Sequence, residues 1–176
     1  MPAPAHSIEH YIHAKDGNRP DLLRHCFTPD ASLEMTVRTA TIAFPAQASG
    51  RAAIADILVR NFAQTYENVY TLCIGQPPAG HASTHTCQWL VGMSVKTSGE
   101  LRIGCGDYLW QFVPGSGLVR HLSITIEHMQ VYAAQDLEPV MNWLQSLSYP
   151  WCMAQDLVRA APAVGDLEST LKFFKS

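Results

Sequence analysis

The chain has 176 residues, of which 47% are hydrophobic and 15% charged, and its formal net charge at pH 7 is -3. That is globular rather than disordered composition, at a length that suits one domain able to bury a core or enclose a pocket. The slightly acidic balance, with no Lys/Arg cluster, argues against nucleic acid or an anionic membrane as partner, since both select a basic face.

The N-terminal stretch MPAPAHSIEHYIHAK lacks the apolar run of a signal peptide, and nowhere do about 18 apolar residues follow one another. A cytoplasmic protein with no membrane segment is therefore expected. Within Ser7 to Lys15, helical spacing puts Ile8, Tyr11, Ile12 and Lys15 on one face, and His6, His10 and His13 fall on another. No carboxylate joins these histidines convincingly, so the row reads as a surface feature and no metal is expected.

Gly17-Asn18-Arg19-Pro20 breaks this helix, and a short second one, Asp21 to Cys26, follows the proline. Ala31 to Arg38 alternates Leu33, Met35 and Val37 with polar residues, the period of a half-buried strand. A second extended piece is expected over Thr41 to Gln47. Residues 51 to 66 place Ile54, Ile57, Leu58 and Phe62 on one stripe, which makes this the long amphipathic helix.

Four strands are expected at 68–76, 85–96, 100–113 and 118–132, separated by the turn-rich stretches QPPAGHAS, TSGE and PGSG. With Ser98-Gly99 as a two-residue turn, His85, Cys87, Trp89, Val91 and Met93 share a face with Gly104, Gly106, Tyr108, Trp110 and Phe112. The large aromatic residues make this the inner face. Asp107, with Leu90, Leu101, Ile103 and Cys105, falls on the outer one. In the last strand Leu122, Ile124, Ile126 and His128 are expected inward, a register that a one-residue slip would reverse. Asp136 to Leu147 carries the apolar stripe Leu137, Val140, Met141 and Leu144, and two more short helices follow the break at Ser148-Tyr149-Pro150-Trp151. The five cysteines, Cys26, Cys73, Cys87, Cys105 and Cys152, include no C-x-x-C pair and are expected to be reduced and mostly buried.

The stretches YIHAKDGNRPDLLRHCFTPDASLE, GRAAI and GDYLWQF followed by GLVRHLSITI resemble the NTF2-like superfamily, particularly its SnoaL-like and ketosteroid-isomerase-like members. The resemblance covers residue 6 to about 132. It implies an α+β cone, a curved antiparallel sheet wrapped around N-terminal helices, with an interior pocket and homodimerisation through the outer sheet face. It also divides the chain into a domain at 1–133 and a helical extension at 134–176, packing on the domain or on a partner subunit. Tyr11 matches the oxyanion-hole tyrosine of the steroid isomerases, and their second donor falls on Tyr108. Their general-base aspartate falls on Met35, which cannot take a proton, so steroid isomerase activity is not implied.

The residues themselves give a pocket of Tyr11, Met35, Trp89, Tyr108, Trp110, Phe112 and His128, with His85 at the end of its strand. Such a wall suits a small hydrophobic or aromatic molecule oriented by phenol hydroxyls. For chemistry, Tyr11, Tyr108 and His128 are the candidate catalytic groups of a cofactor-independent lyase or isomerase, because imidazole can give or take a proton near neutrality. Met35, His85, Trp89, Trp110 and Phe112 are the candidate ligand-binding residues. The competing readings make these ordinary hydrogen-bonded or aromatic core groups in a noncatalytic ligand-binding or protein-interaction domain. No phosphate loop, nucleophile elbow or H-E-x-x-H is present, and no cofactor is expected.

Overall fold

The computed structural model describes residues 3–174. Helix α1 (Pro4–Asp16) begins with a proline in its first turn, where a missing N–H leaves no bond unmade, and it ends where the Gly17 N–H closes on the His13 carbonyl. A 3-10 turn (Pro20–His25) leads into β1 (Phe27–Val37). Of the extended piece expected over Thr41 to Gln47, residues 41–46 are instead loop, and β2 is the short Gln47–Ser49, antiparallel to β1 through Leu33 and Ala48. The amphipathic helix comes in three consecutive parts: α2 (Arg51–Ala55), a π-helical turn (Asp56–Arg60) and α3 (Asn61–Thr65).

The meander is β3 (Tyr66–Ile74), β4 (Thr84–Val95), β5 (Leu101–Phe112) and β6 (Val119–Tyr132). Beyond it lie α4 (Leu137–Ser146), β7 (Trp151–Cys152), α5 (Ala154–Ala160) and α6 (Leu167–Leu171). The strands form one seven-stranded sheet of order β2-β1-β6-β5-β4-β3-β7, with β1 parallel to β6 and β3 parallel to β7. The architecture is α+β, a curved mixed sheet closed around helices. Among the described residues no helix is long and apolar enough to cross a membrane.

Two apolar layers sandwich this sheet. On the inner face, Ile8, Tyr11 and Ile12 of α1, with Leu58 and Phe62, pack against Trp89, Tyr108, Trp110 and Phe112. On the outer face, Leu72, Leu90, Leu101, Ile103 and Cys105 are covered by Val140, Leu144, Leu157 and Leu171 of the C-terminal helices. Leu72, Leu90, Leu101 and Ile103, on the face where the resemblance implies a dimer interface, are thus covered within the chain. Asp107 points outward and is exposed.

The β4–β5 register differs from the expected one by two residues: Trp89 faces Gly106, and Cys87 faces Tyr108. The connection is longer than two residues, closed by Val95 N–H to Glu100 O at 2.8 Å and Gly99 N–H to Val95 O at 2.8 Å. An even shift leaves every side chain on its expected face. In β6 the shift is odd. Cys105 faces His128 while Gly106 faces Ile126, so Glu127 is the extra residue of a β-bulge. His128 is therefore turned to the outside, contrary to its expected inward position, and is exposed with its ring 6.4 Å from that of Phe173. Met129 takes the inward place opposite Gly104.

Candidate functional site

Tyr11 and Lys15 stand one helical turn apart on α1, both directed into the sheet's concave side. Tyr11 is fully buried, with the rings of Phe27 and Tyr108 edge-on at 6.1 Å and Trp110 at 5.4 Å. Its hydroxyl faces Tyr108 but has no hydrogen-bond partner among the described residues. Tyr108 stacks on Trp89 at 5.7 Å. Burial pushes both phenols well above their ordinary pKa, so each is a neutral O–H at any physiological pH.

Lys15 ends in a short polar chain. Its ammonium donates to Thr71 Oγ1 at 2.8 Å, and that hydroxyl donates onward to Asp16 Oδ1 at 2.8 Å. Asp16 Oδ2 accepts the Thr71 N–H at 2.7 Å and the Tyr149 hydroxyl at 2.8 Å. Lys15 Nζ also lies 4.4 Å from the centre of the Phe62 ring and 3.6 Å from Asp16 Oδ1. Burial lowers the Lys15 pKa, and the Asp16 carboxylate opposes it.

Tyr11, Lys15, Met35, Thr71, Trp89 and Tyr108 line a cavity of about 30 Å³, room for one or two waters. The remaining wall is apolar and rich in methionine, including Met93 and Met129. Ile42, Phe44 and Phe62 line this cavity and also an external groove of about 400 Å³, so they form the partition between interior and solvent.

The structure therefore gathers Tyr11, Met35, Trp89 and Tyr108 at one cavity. Trp110 and Phe112 are fully buried in the aromatic packing beside it. His85 lies elsewhere, its ring 5.9 Å from that of Trp151, and its Nε2 is buried without a hydrogen-bond partner among the described residues. His128 does not reach the interior. Two polar residues at the cavity, Lys15 and Thr71, and Asp16 bonded to Thr71 behind them, received no role from the sequence. The signal for Lys15 was its place on the apolar stripe four residues after Tyr11; Thr71 comes from a different element and had none.

No family model matches the sequence, and no curated protein matches it. Among solved structures, an NTF2-like protein from Burkholderia thailandensis superposes with a TM-score of 0.55 at 13% identity, over 74% of this chain and 92% of that one. A Catenulispora acidiphila protein with a ketosteroid isomerase-like fold, in complex with trimethylamine, gives 0.53 at 17% identity, over 67% of this chain and 82% of that one. A Mycobacterium tuberculosis protein in complex with estradiol-17β-hemisuccinate gives 0.55 at 10% identity, over 70% and 93%. At such identities the likeness defines a fold. This chain has the NTF2-like fold, extended by helices laid over the outer face of its sheet.

Proposed function

We propose that the protein binds a small hydrophobic or aromatic molecule carrying an oxygen acceptor inside the cone, with Tyr11 and Lys15 as its polar anchors. The observation that carries this reading is two polar donors in one largely apolar wall: a buried tyrosine hydroxyl without a partner among the described residues, and a buried ammonium held by Thr71 and Asp16. Folded interiors ordinarily pair or exclude such groups. A ligand oxygen in the cavity meets both donors. Two proteins of the same fold are in complex with small molecules, trimethylamine and estradiol-17β-hemisuccinate, which supports a small-molecule role.

The resting cavity of about 30 Å³ is smaller than any such ligand. Entry proceeds through the Ile42, Phe44 and Phe62 partition, and Met35, Met93 and Met129 re-pack around the guest, as unbranched thioethers readily do. A catalytic form of this reading, a cofactor-independent lyase or isomerase, uses Tyr11 and Tyr108 as hydrogen-bond donors and Lys15 as the base that Met35 cannot be. Burial lowers the Lys15 pKa, against the pull of the Asp16 carboxylate, which eases loss of its proton, and Thr71 and Asp16 hold the group in place. In the same reading, pairing of two copies through the outer sheet face uses its uncovered half around Ser32, His121 and Ser123, because the chain's own helices occupy the other half.

Calorimetric titration with 2-naphthol and estradiol, and with naphthalene as the oxygen-free control, tests the binding site. Both oxygenated probes are expected to bind saturably, and Tyr11→Phe and Lys15→Met each to weaken them about tenfold. Naphthalene binding is expected to survive both substitutions. Failure of every probe to bind, or wild-type affinity of both variants for the oxygenated probes, overturns the proposal.

A further inference from the structure

Cys87 sits outside the cavity lining, where three strands bring thiol, imidazole and indole groups together. Cys73 pairs with Trp89 across β3 and β4, so it lies diagonal to Cys87 on the same inner face. His85 stands two residues before Cys87 on β4, and Trp110 lies opposite His85 on β5. The register therefore puts the Cys73 thiol, the His85 imidazole and the Trp110 indole beside Cys87 on one face of the sheet. His85 Nε2 and Trp110 Nε1 are both buried without a conventional hydrogen-bond partner among the described residues, and Trp110 is entirely buried. An unpaired indole N–H and an imidazole beside one sulfur are surroundings that favour an anion, because a thiolate accepts hydrogen bonds that a thiol accepts only weakly.

The other cysteines differ in both access and chemistry. Cys26, Cys73, Cys105 and Cys152 are buried, whereas Cys87 is half-buried. Burial pushes the thiols of Cys26 and Cys152 up, and that of Cys105 to about 12. In the Cys73–Cys87 pair the Cys87 thiol is drawn down, first by the Cys73 thiol and then by His85 and Trp110, while the Cys73 thiol is pushed up. Further out, Trp151 packs on His85 at 5.9 Å and donates its Nε1–H to Glu9 at 3.3 Å.

We infer that Cys87 is a nucleophilic thiol site for hydroperoxides and that Cys73 resolves its oxidised form into a Cys73–Cys87 disulfide. This inference stands apart from the ligand reading, since neither cysteine lines that cavity. The Cys87 thiolate attacks one peroxide oxygen and the O–O bond breaks. The departing alkoxide or hydroxide takes the proton that Cys87 released, leaving an alcohol or water and a sulfenic acid. The Cys73 sulfur then attacks the Cys87 sulfur. The S–O bond breaks, and hydroxide leaves with the Cys73 proton as water. Two thiols lose two electrons, and one hydroperoxide is reduced to an alcohol (or water) and water. A hydroperoxide is the fitting electrophile because it is small enough for a half-buried sulfur and because a second thiol stands beside the first.

The test uses the full chain with stoichiometric hydrogen peroxide, followed by non-reducing peptide mapping. The expected product is a peptide pair joined through Cys73 and Cys87, with Cys26, Cys105 and Cys152 unmodified. Cys73→Ser is expected to stop at a sulfenic acid that dimedone traps on Cys87, and Cys87→Ser to leave Cys73 reduced. A measurement without substitution keeps the inference falsifiable: iodoacetamide should label Cys87 in the folded wild-type protein roughly tenfold faster than any other cysteine. The labelling rate of Cys87 should inflect at lower pH than that of the other cysteines. Equal labelling of Cys87 and the other cysteines, or peroxide reaction at another cysteine first, overturns the site. A stable Cys87 sulfenic acid in the wild-type protein overturns the role of Cys73.

Discussion

Lys15 occupies a position that the apolar stripe of α1 would ordinarily give to leucine, and it is as buried as one. Its charge is tolerated because Thr71 accepts a hydrogen bond from it, Asp16 lies 3.6 Å away and the Phe62 ring faces it. These contacts do not restore the solvation of water, so its folded-state pKa lies below 10.5. Between that lowered value and 10.5 the unfolded chain binds more protons than the native one. The stability contribution of Lys15 therefore rises with pH across this window and is most unfavourable below it. Urea unfolding of wild type and Lys15→Met between pH 7 and 10.5 checks the sign. The wild type is expected to gain on the variant as pH rises, with a slope of at most about 1.4 kcal/mol per pH unit. A flat difference would show that the ammonium is solvated in the folded protein.

The hairpin of β5 and β6 sets which residues see the interior. Gly106 stands opposite the bulge, and a Cβ there would collide with the Thr125 carbonyl oxygen, 2.8 Å from its carbon and 2.9 Å from Trp89 Cζ2. The inward glycines are thus close-approach positions rather than room for a ligand. Even the space beside Gly104 is taken by the Met129 side chain. Gly106→Ala should cost roughly 3 kcal/mol, read from chemical denaturation, because backbone and a packed indole must both move. Stability within a few tenths of wild type would contradict the bulge.

This hairpin also separates what the sequence could disclose from what it could not. Strand existence and the facing of Trp89, Tyr108, Trp110 and Phe112 follow from strict alternation, which survives an even shift in register. His128 was misplaced because Leu122, Ile124 and Ile126 continue in phase up to it. The break shows only in the next apolar residue, Met129, which stands three rather than two positions after Ile126. The Lys15–Thr71–Asp16 chain was hidden for another reason. It joins α1 to β3 across more than fifty positions, and no local pattern encodes a contact between distant elements.

At the scale of the whole molecule, the outer face of the sheet depends on residues 134–174. The runs Trp89 to Met93 and Leu101 to Cys105 are buried on alternate sides with almost no polar interruption, the pattern of a sheet covered on both faces. Trp143 anchors the cover by donating to the Leu157 carbonyl at 3.0 Å, and Gln88 of β4 donates to the Phe173 carbonyl at 3.2 Å. Strand β7 closes the β3 edge, with Cys73 N–H to Pro150 O at 2.6 Å and Gly75 N–H to Cys152 O at 2.9 Å. Leu72, Leu90, Leu101 and Ile103 are each fully buried in this layer. At about 2 kcal/mol for each such side chain, uncovering them removes roughly 8 kcal/mol, as much as an ordinary domain's entire stability. A chain ending at Ala133 is therefore expected to lose its cooperative urea transition and to elute as aggregate in size-exclusion chromatography. Adding residues 134–176 as a separate peptide should restore both the transition and a discrete size. A monomeric 1–133 chain that unfolds cooperatively by itself would make the C-terminal helices an appendage. Loss and rescue would make them the second wall of the sheet.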